Sequence, residues 1–384
     1  MANNLHILVG GGTCGIAAGA IAVLDAFKKE ATQAHIQFVG CKGMCHQEVL
    51  VEIRDAENKS TTYGKVTAND VPKILAFHAG LGPQPIDLVV TSTDNPQNAK
   101  GLFLKQQTRI ALRNVGEMDP THIDEYIARG GYAAIKRILT DNIPPTKIIE
   151  EVRISGLRGR GGAGFPTATK WQFAREAKGD KKYLICNGDE GDPGAFMDRS
   201  VLEGDPHSVL EGMLIAAYAI GASEGYAYIR AEYPLAVKNF EKAIVDARAS
   251  GFLGQNILGS DFSFDLKVKQ GAGAFVCGEE TALIGSIEGQ RGMPRIRPPF
   301  PAIKGLFGKP TIINNVETLA NLTWIIQNGG AAFAKYGTEK SKGTKVFALA
   351  GAIARGGLVE IPMGMTIREV LYNIGGGSKT GRPI

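Results

Sequence analysis

An α/β architecture in three parts is what this sequence predicts, and three observations carry it. Between residues 105 and 340, short apolar runs alternate with long helical patterns, as in a mostly parallel sheet covered on both faces. Ahead of them a shorter unit reads in the order β-α-β-β-β-α. Behind them, from residue 344, two strand-like runs flank a glycine turn. A chain of 384 residues with 44% hydrophobic content is long enough for two or three domains with a large core. Its 43 basic and 38 acidic side chains leave a formal charge of +5 with no block of like charges, so neither a nucleic-acid footprint nor a polybasic membrane patch is readable. The start, MANNLHILVG, lacks the basic region and long apolar run of a secretory signal. No apolar stretch reaches the ~20 residues of a membrane span. Five cysteines, an odd number, argue against a disulfide framework and for a reducing cytosol.

In the first unit, residues 1–90, Leu5–Val9 is an apolar strand, and a helix follows with Ile16, Ala20, Leu24 and Phe27 along one face. His35–Val39 and Val49–Ile53 are the second and third strands. Thr61–Val66 adds a fourth before a short helix from Asn69, with Pro72 in its first turn. That order suits a thioredoxin-like fold. Three cysteines lie here: Cys14 after a Gly-Gly-Gly-Thr run, then Cys41 and Cys45 in GCKGMC. Iron–sulfur clusters are held by clustered thiolates, and the Cys-x3-Cys loop resembles half the ligand set of the thioredoxin-like [2Fe-2S] ferredoxin domain. That family places two cysteines near its first strand, where only Cys14 stands. Either a non-cysteine ligand such as His46 completes a [2Fe-2S] site on Cys14, Cys41 and Cys45, or no cluster binds.

Gly80, Gly82, Pro83 and Pro85 open a linker that carries an isolated short strand and the polar run TSTDNPQNAK, with residues 91–104 as its core. Asp119-Pro120-Thr121 starts a helix with Ile123 and Ile127 on one face, stopped by Gly130-Gly131. Tyr132–Leu139 resumes it, and a further helix from Thr146 runs into a glycine loop. Thr167–Lys178 is helical, with Trp171 and Ala174 inward and Gly179 as its stop. Strands at Lys182–Cys186, Gly225–Arg230 and Phe264–Val268 alternate with helices at His207–Ile220 and Pro234–Ala249. From 341 a β-grasp (SLBB-like) domain begins and does not finish. Lys345–Ala350 and Gly357–Ile361 are its strands, and Thr366–Tyr372 is its helix.

Four clusters on this frame carry chemistry. In GLRGRGGAGFPTATK, Gly156–Lys170, glycine lets backbone N–H groups approach a ligand, arginine offers a forked donor, and the following helix start adds positive potential. The loop is neither a Walker loop nor the dinucleotide fingerprint. The second cluster, Asn187-Gly188-Asp189-Glu190-Gly191-Asp192-Pro193-Gly194, closes a strand at the edge where open α/β sheets bind ligands. In the third, GAGAFVCGEETAL, the paired carboxylates Glu279 and Glu280 open a helix, where capping alone would account for them. In the fourth, TIINNVETL, Asn314 and Asn315 could cap a helix or hydrogen-bond a heterocycle.

Together and in this order, the four clusters resemble the FMN flavoprotein family that oxidises NADH in respiratory complex I (the 51-kDa, NuoF-like subunit). The same family serves soluble NAD-linked hydrogenases and formate dehydrogenases, and the fused N-terminal unit points to that soluble branch. The resemblance implies a Rossmann-like domain over residues 105–340 that binds FMN and NADH face to face. FMN would lie against Gly159, Arg160, Gly161, Gly162 and Gly164, with Lys170 at its phosphate or polar rim. Asn187, Asp189 and Glu190 would hold its ring and ribityl groups, Gly278 and Glu279 would line it, and Asn314, Asn315 and Thr318 would secure the phosphate end. NADH would stack on the flavin with its adenine between rings such as Phe165, Phe173 and Phe300, and Phe275 would also contact the cofactors. Glu280 and Asp192 would take its ribose or nicotinamide, beside Arg297. The family usually has glutamate at the position of Asp192 and lysine at that of Arg297. Carboxylates near the ribose would favour NADH over NADPH.

No side chain would be catalytic in the acid–base sense, since hydride passes straight to FMN. Cys186 and Cys277 are read as core residues. A [4Fe-4S] cluster, carried in the family on a later Cys-x2-Cys-x2-Cys run, is expected beyond Ile384. Iron–sulfur subunits of a hydrogenase, formate dehydrogenase or similar complex are the expected partners. The expected setting is cytoplasmic, peripheral on a membrane complex in the respiratory case. The alternative function is a non-catalytic nucleotide-binding scaffold subunit.

Overall fold

The computed structural model describes residues 5–94 and 101–384, so part of the polar linker, 95–100, lies outside the described residues. Among the described residues it is a mixed α/β chain with three sheets. In the first, β1 (His6–Gly10), β2 (His35–Val39), β3 (Val51–Arg54), β4 (Ser60–Tyr63) and β5 (Val89–Ser92) lie in the order β2-β1-β3-β4-β5. Only the β1/β2 pair is parallel. The strand read as isolated in the linker is β5, the edge of this sheet. A four-residue run shows little alternation by itself, which hid its partner.

The helix expected from Ile16 to Phe27 is two helices, Thr13–Ala17 and Ala20–Glu30. Gly19 between them sits at φ 103°, a conformation open to glycine that no α-helix can contain. Ala20, Leu24 and Phe27 are buried as expected, while Ile16, on the other piece, is exposed.

The second sheet is parallel throughout, in the order β8-β7-β6-β9. Its strands are β6 (Tyr183–Gly188), β7 (Glu224–Arg230), β8 (Asp265–Gly271) and β9 (Thr311–Asn315). The helices Pro206–Ile220 and Val316–Asn328 are buried along nearly their whole length. They meet backbone to backbone at Gly212, where a Cβ would lie 2.2 Å from Leu319 O. Trp171 and Ala174 are buried as read, and truncating that indole to alanine would cost about 3–5 kcal/mol. The helix Thr167–Glu176 stops short of Gly179. In the helix Ile123–Ala128 the inward residue is Tyr126, not Ile127, because Tyr126 O–H donates to buried Glu211 at 2.6 Å. Glu211 also accepts the N–H groups of Tyr132, Ala134 and Ile135, capping the next helix from below.

The third sheet is the antiparallel pair β10 (Thr344–Leu349) and β11 (Gly357–Pro362). The helix expected after it is one α-turn, Ile367–Glu369, continued by a π-turn to Ile374. This hairpin shares a hydrophobic cluster with the first unit: Met44, Leu50 and Val90 pack with Leu349, Val359 and Ile361. Leu358 N–H donates to Gly43 O at 2.8 Å. Lys42 and Arg54 of the first unit both reach Glu117, at 2.7 Å each. Although Glu117 is largely buried, those two cations hold its carboxyl down to about 2.

Candidate functional site

The carboxyl ends of the parallel strands gather all four clusters at one edge. The glycine loop enters from the helix Pro145–Ser155, which ends at Gly156 with φ 63°. Gly159 N–H donates to Phe165 O at 2.9 Å and Thr167 N–H to Leu157 O at 3.0 Å, so the loop is a closed hairpin rather than a linker. At its tip the N–H groups of Gly161, Gly162 and Ala163 meet no protein acceptor among the described residues. A Cβ on Gly161 would press Asn315 at 3.1 Å, and Gly162 takes φ 113°. At the foot of the hairpin the Thr167 hydroxyl is buried without a hydrogen-bond partner among the described residues. A buried hydroxyl left unpaired costs about 1–3 kcal/mol, which a ligand oxygen would recover.

Arg160 has a different job from the one its sequence position suggests. Its guanidinium is buried and donates to the backbone oxygens of Arg158, Lys342 and Thr344, at 3.0, 2.7 and 3.0 Å. Its own N–H donates to Thr318 Oγ1 at 2.9 Å. Arg160 therefore clamps the loop to β10 and to the helix after β9, and the loop's outward donors are backbone groups. Lys170 reaches Ile313 O at 2.9 Å and Glu280 at 3.3 Å, which places its ammonium on the floor of the cleft.

The acidic turn divides its carboxylates. Asn187 Nδ2 donates to Gly278 O at 2.9 Å, and Asp189 N–H donates to Asn187 Oδ1 at 3.0 Å, so Asn187 ties the second cluster to the third. Burial raises Asp189 to about 6, with Arg230 opposing and Glu232 adding to the rise. Glu190 turns inward and accepts the N–H groups of Asp198 and Arg199, both at 3.2 Å. Burial nonetheless raises its carboxyl above the ordinary range. Asp192 stays exposed. Gly191 lets the Phe275 ring lie against the turn, because a Cβ there would meet that ring at 2.9 Å.

Glu279 caps the helix Glu280–Ile287, taking the N–H groups of Thr281 and Ala282 at 2.9 and 3.0 Å. Burial would raise its carboxyl, but those bonds and Arg297 hold it below the usual range. Glu280 faces the cleft between Lys170 and Arg297. Asn315 caps its helix at Thr318 N and also donates to Asp198 at 2.6 Å. Asn314 accepts from Trp171 Nε1 at 2.9 Å. Glu279 and Asn315 are thus helix caps, while Asn314 does not cap and lies buried against Trp171. Phe165, Phe173, Phe275 and Phe300 are exposed around the cleft, and none stacks on another among the described residues.

Sequence reasoning missed Asp198, Arg199, Arg230 and Tyr233. Asp198 is buried beside Glu190, and desolvation followed by that neighbour pushes its carboxyl well up. Arg230 Nη1 and Tyr233 O–H both donate to Glu190 O, at 2.6 and 3.1 Å. The helix Met197–Gly204, which carries Asp198 and Arg199, follows the acidic turn at once and was the available signal.

In the first unit, the Cys45 thiol neighbours those of both Cys14 and Cys41. His46 does not join them: its Nδ1 lies 2.9 Å from Gly356 O and its ring packs edge-on to Phe103. The residue beside the thiols is Glu48, whose Oε1 accepts from Cys41 Sγ at 2.8 Å. Among the described residues no His, Cys, Asp or Glu group forms a cage for a single metal ion. Cys186 and Cys277 are buried in the core. No described helix is long and apolar enough to cross a membrane.

Comparison with known proteins gives the chain its relatives. Residues 152–324 match the family model for the Nuo51 FMN-binding domain. The chain is 60% identical over 278 residues to the HndC protein of the NADP-reducing hydrogenase of Solidesulfovibrio fructosivorans, covering 72% of this chain and 56% of that one. It is 51% identical to a component of the NADH-quinone oxidoreductase of Aquifex aeolicus, over 67% of this chain and 59% of that one. Among solved structures, an NAD+-reducing [NiFe]-hydrogenase in the air-oxidised state superposes with a TM-score of 0.59 at 30% identity, over all of this chain and 62% of the other. The chain thus spans about six tenths of the length of these relatives.

Proposed function

Because residues 152–324 belong to the Nuo51 FMN-binding domain family, we propose that this chain binds FMN and NAD(H) at the carboxyl edge of its parallel sheet and delivers electrons to iron–sulfur partner subunits. The observation that carries the proposal is the hairpin tip, where the N–H groups of Gly161, Gly162 and Ala163 meet no protein acceptor among the described residues. Such donors suit a phosphate, and the helix starting at Thr167 adds its positive end. When bound, FMN supplies the conversion between a two-electron hydride and single electrons.

The residues then divide the work. Gly161, Gly162 and Ala163 would receive the phosphate, supported from behind by the Arg160 clamp. Asn187 and Asp189 face the ring's polar edge. Asp189, near 6, exchanges its proton close to neutral pH and can present either a donor or an acceptor there. Glu280, held between Lys170 and Arg297, would take ribose hydroxyls. The phenylalanines around the cleft would shield the stacked rings from water, so that positioning rather than acid–base chemistry sets the rate. In this reading the N-terminal unit is thioredoxin-like, the middle is Rossmann-like and the final hairpin opens a β-grasp domain. Five free thiols suit a cytoplasmic setting. The relatives named for hydrogenase and quinone reductase complexes point to partners of the same kind.

The test is optical. Purified chain reconstituted with FMN should show flavin absorbance that NADH bleaches anaerobically. A chain that takes up no FMN, or whose flavin NADH leaves oxidised, would indicate the non-catalytic scaffold instead.

A further inference from the structure

The first unit contains a second set of chemically active side chains that the flavin cleft does not use. The Cys14 and Cys41 segments pack together, a would-be Cβ on Gly12 lying 2.9 Å from Cys41 Cβ, with Cys45 neighbouring both thiols and Glu48 adding a carboxylate oxygen 2.8 Å from Cys41 Sγ. Two N–H donors point at these sulfurs. Gly43 N–H lies 3.2 Å from Cys41 Sγ, and Arg199 Nη2 lies 3.6 Å from Cys14 Sγ. Donors aimed at sulfur are what ionised, metal-bound thiolates require, and they tune the clusters those thiolates hold. The second oxygen of Glu48 accepts Leu50 N–H at 3.1 Å, which fixes the carboxylate's orientation as a ligand's neighbour would.

We propose that Glu48 is the fourth protein ligand of a two-iron, two-sulfide cluster whose other ligands are Cys14, Cys41 and Cys45. The set does not surround one point, as a single-ion cage would. A two-iron cluster instead takes its four ligands as two pairs, one on each iron. Carboxylate is an anionic oxygen ligand that iron accepts, so three thiolates and one carboxylate supply the same total charge as four thiolates. The Arg199 guanidinium at Cys14 offsets part of that charge. His46, the nearest sequence candidate, is anchored through Nδ1 to Gly356 O and packs edge-on to Phe103, whereas Glu48 is the residue in contact with a thiol.

The experiment uses the full chain, reconstituted anaerobically with ferrous iron and sulfide. Iron and sulfide are counted per chain, EPR spectra are taken after dithionite reduction, and FMN uptake reports folding. The wild type should bind about two irons and give a reduced two-iron signal. Glu48→Ala should lose most of the iron while still binding FMN. Glu48→Cys should keep the iron with a changed EPR spectrum, and His46→Ala should match the wild type. The proposal is overturned if the wild type takes up no iron, if Glu48→Ala keeps the wild-type iron content and spectrum, or if His46→Ala loses the cluster. Should Glu48→Ala fail to bind FMN and so prove misfolded, the Glu48→Cys spectrum decides: a shift supports ligation, and identity with the wild type refutes it. FMN binding is scored separately, so the flavin proposal stands or falls by itself.

Discussion

The short helix Met197–Gly204 separates two sites built on different principles. At its start, Glu190 accepts the N–H groups of Asp198 and Arg199, and Asp198 accepts from Asn315 beside the glycine hairpin. At its end, Glu203 accepts Thr13 N–H at 2.9 Å, next to Cys14, and Gly204 meets Gly40 so closely that a Cβ on Gly40 would lie 2.7 Å from it. The proposed flavin cleft is made chiefly of main chain, with N–H groups that meet no acceptor among the described residues, on a hairpin that buried side chains hold from behind. The thiol site is made of side chains, three sulfurs and a carboxylate from a short helix, Thr13–Ala17, and the segment 41–48. A main-chain site leaves its mark in the sequence as glycine spacing. A side-chain site leaves only residue types whose partners are set by the fold. One helix joins the two, so each can be perturbed while the other serves as the control.

The largest effect is expected where the thiol loop docks on the last hairpin. Gly357 passes so close to Gly43 that a Cβ would lie 1.9 Å from its carbonyl oxygen and 3.2 Å from Cys45 N. Gly357→Val should destabilise the protein by about 3 kcal/mol, seen as a lower urea midpoint. Iron uptake should fall with it, while FMN affinity in the surviving folded fraction stays near wild type. Equal loss of both would mean that the two sites are one cooperative unit.

A middle-sized effect belongs to the hairpin. Gly162 has φ 113° with nothing within 4 Å of its would-be Cβ, so a side chain there meets no clash and acts through backbone strain alone. Gly162→Val should cost about 1–3 kcal/mol of the bound conformation, or about 5–150-fold in FMN affinity by titration. Iron content should not change. Unchanged FMN affinity would show that the hairpin tip is not the phosphate cradle.

These differences also explain what could be read in advance. The alternation that gave β6, β7 and β8 and the four glycine- and acid-rich clusters were legible because each needs only local pattern, and the parallel sheet brings their ends together. Gly19 was not, because one glycine in a helical pattern gives no sign of whether its φ is positive. β5 needed β4 beside it before it could be recognised as a sheet edge. Arg160 looked like a phosphate donor because the carbonyls it binds, those of Lys342 and Thr344, lie far along the chain. Glu48 was overlooked in favour of its neighbour His46 for the same reason. Histidine is the commoner ligand type, and only the fold shows that its Nδ1 is tied to Gly356 O while Glu48 lies against Cys41.

The smallest effect is a pH dependence confined to the cleft. Burial raises Asp189 to about 6, Glu232 adds to the rise, and Arg230 opposes it. In the unfolded chain the same carboxyl titrates near its ordinary value, about 3.9. Between these values the folded protein holds a proton that the unfolded chain has released. The stability due to this group is therefore complete below about pH 4 and is lost as pH rises toward about 6. Glu190 and Asp198 are raised as well and contribute slopes of the same sign, so the wild-type curve alone does not isolate Asp189. Asp189→Asn does, because the amide keeps the shape and never ionises. The two proteins should melt at nearly the same temperature near pH 4. The variant should then gain about 1 °C on the wild type by pH 7, a small difference because solvent reaches part of the group. The iron content of the thiol site should be indifferent to the change at either pH. A melting difference that is constant across the range would mean that Asp189 ionises normally, and its proton would then be unavailable to a ligand in the cleft.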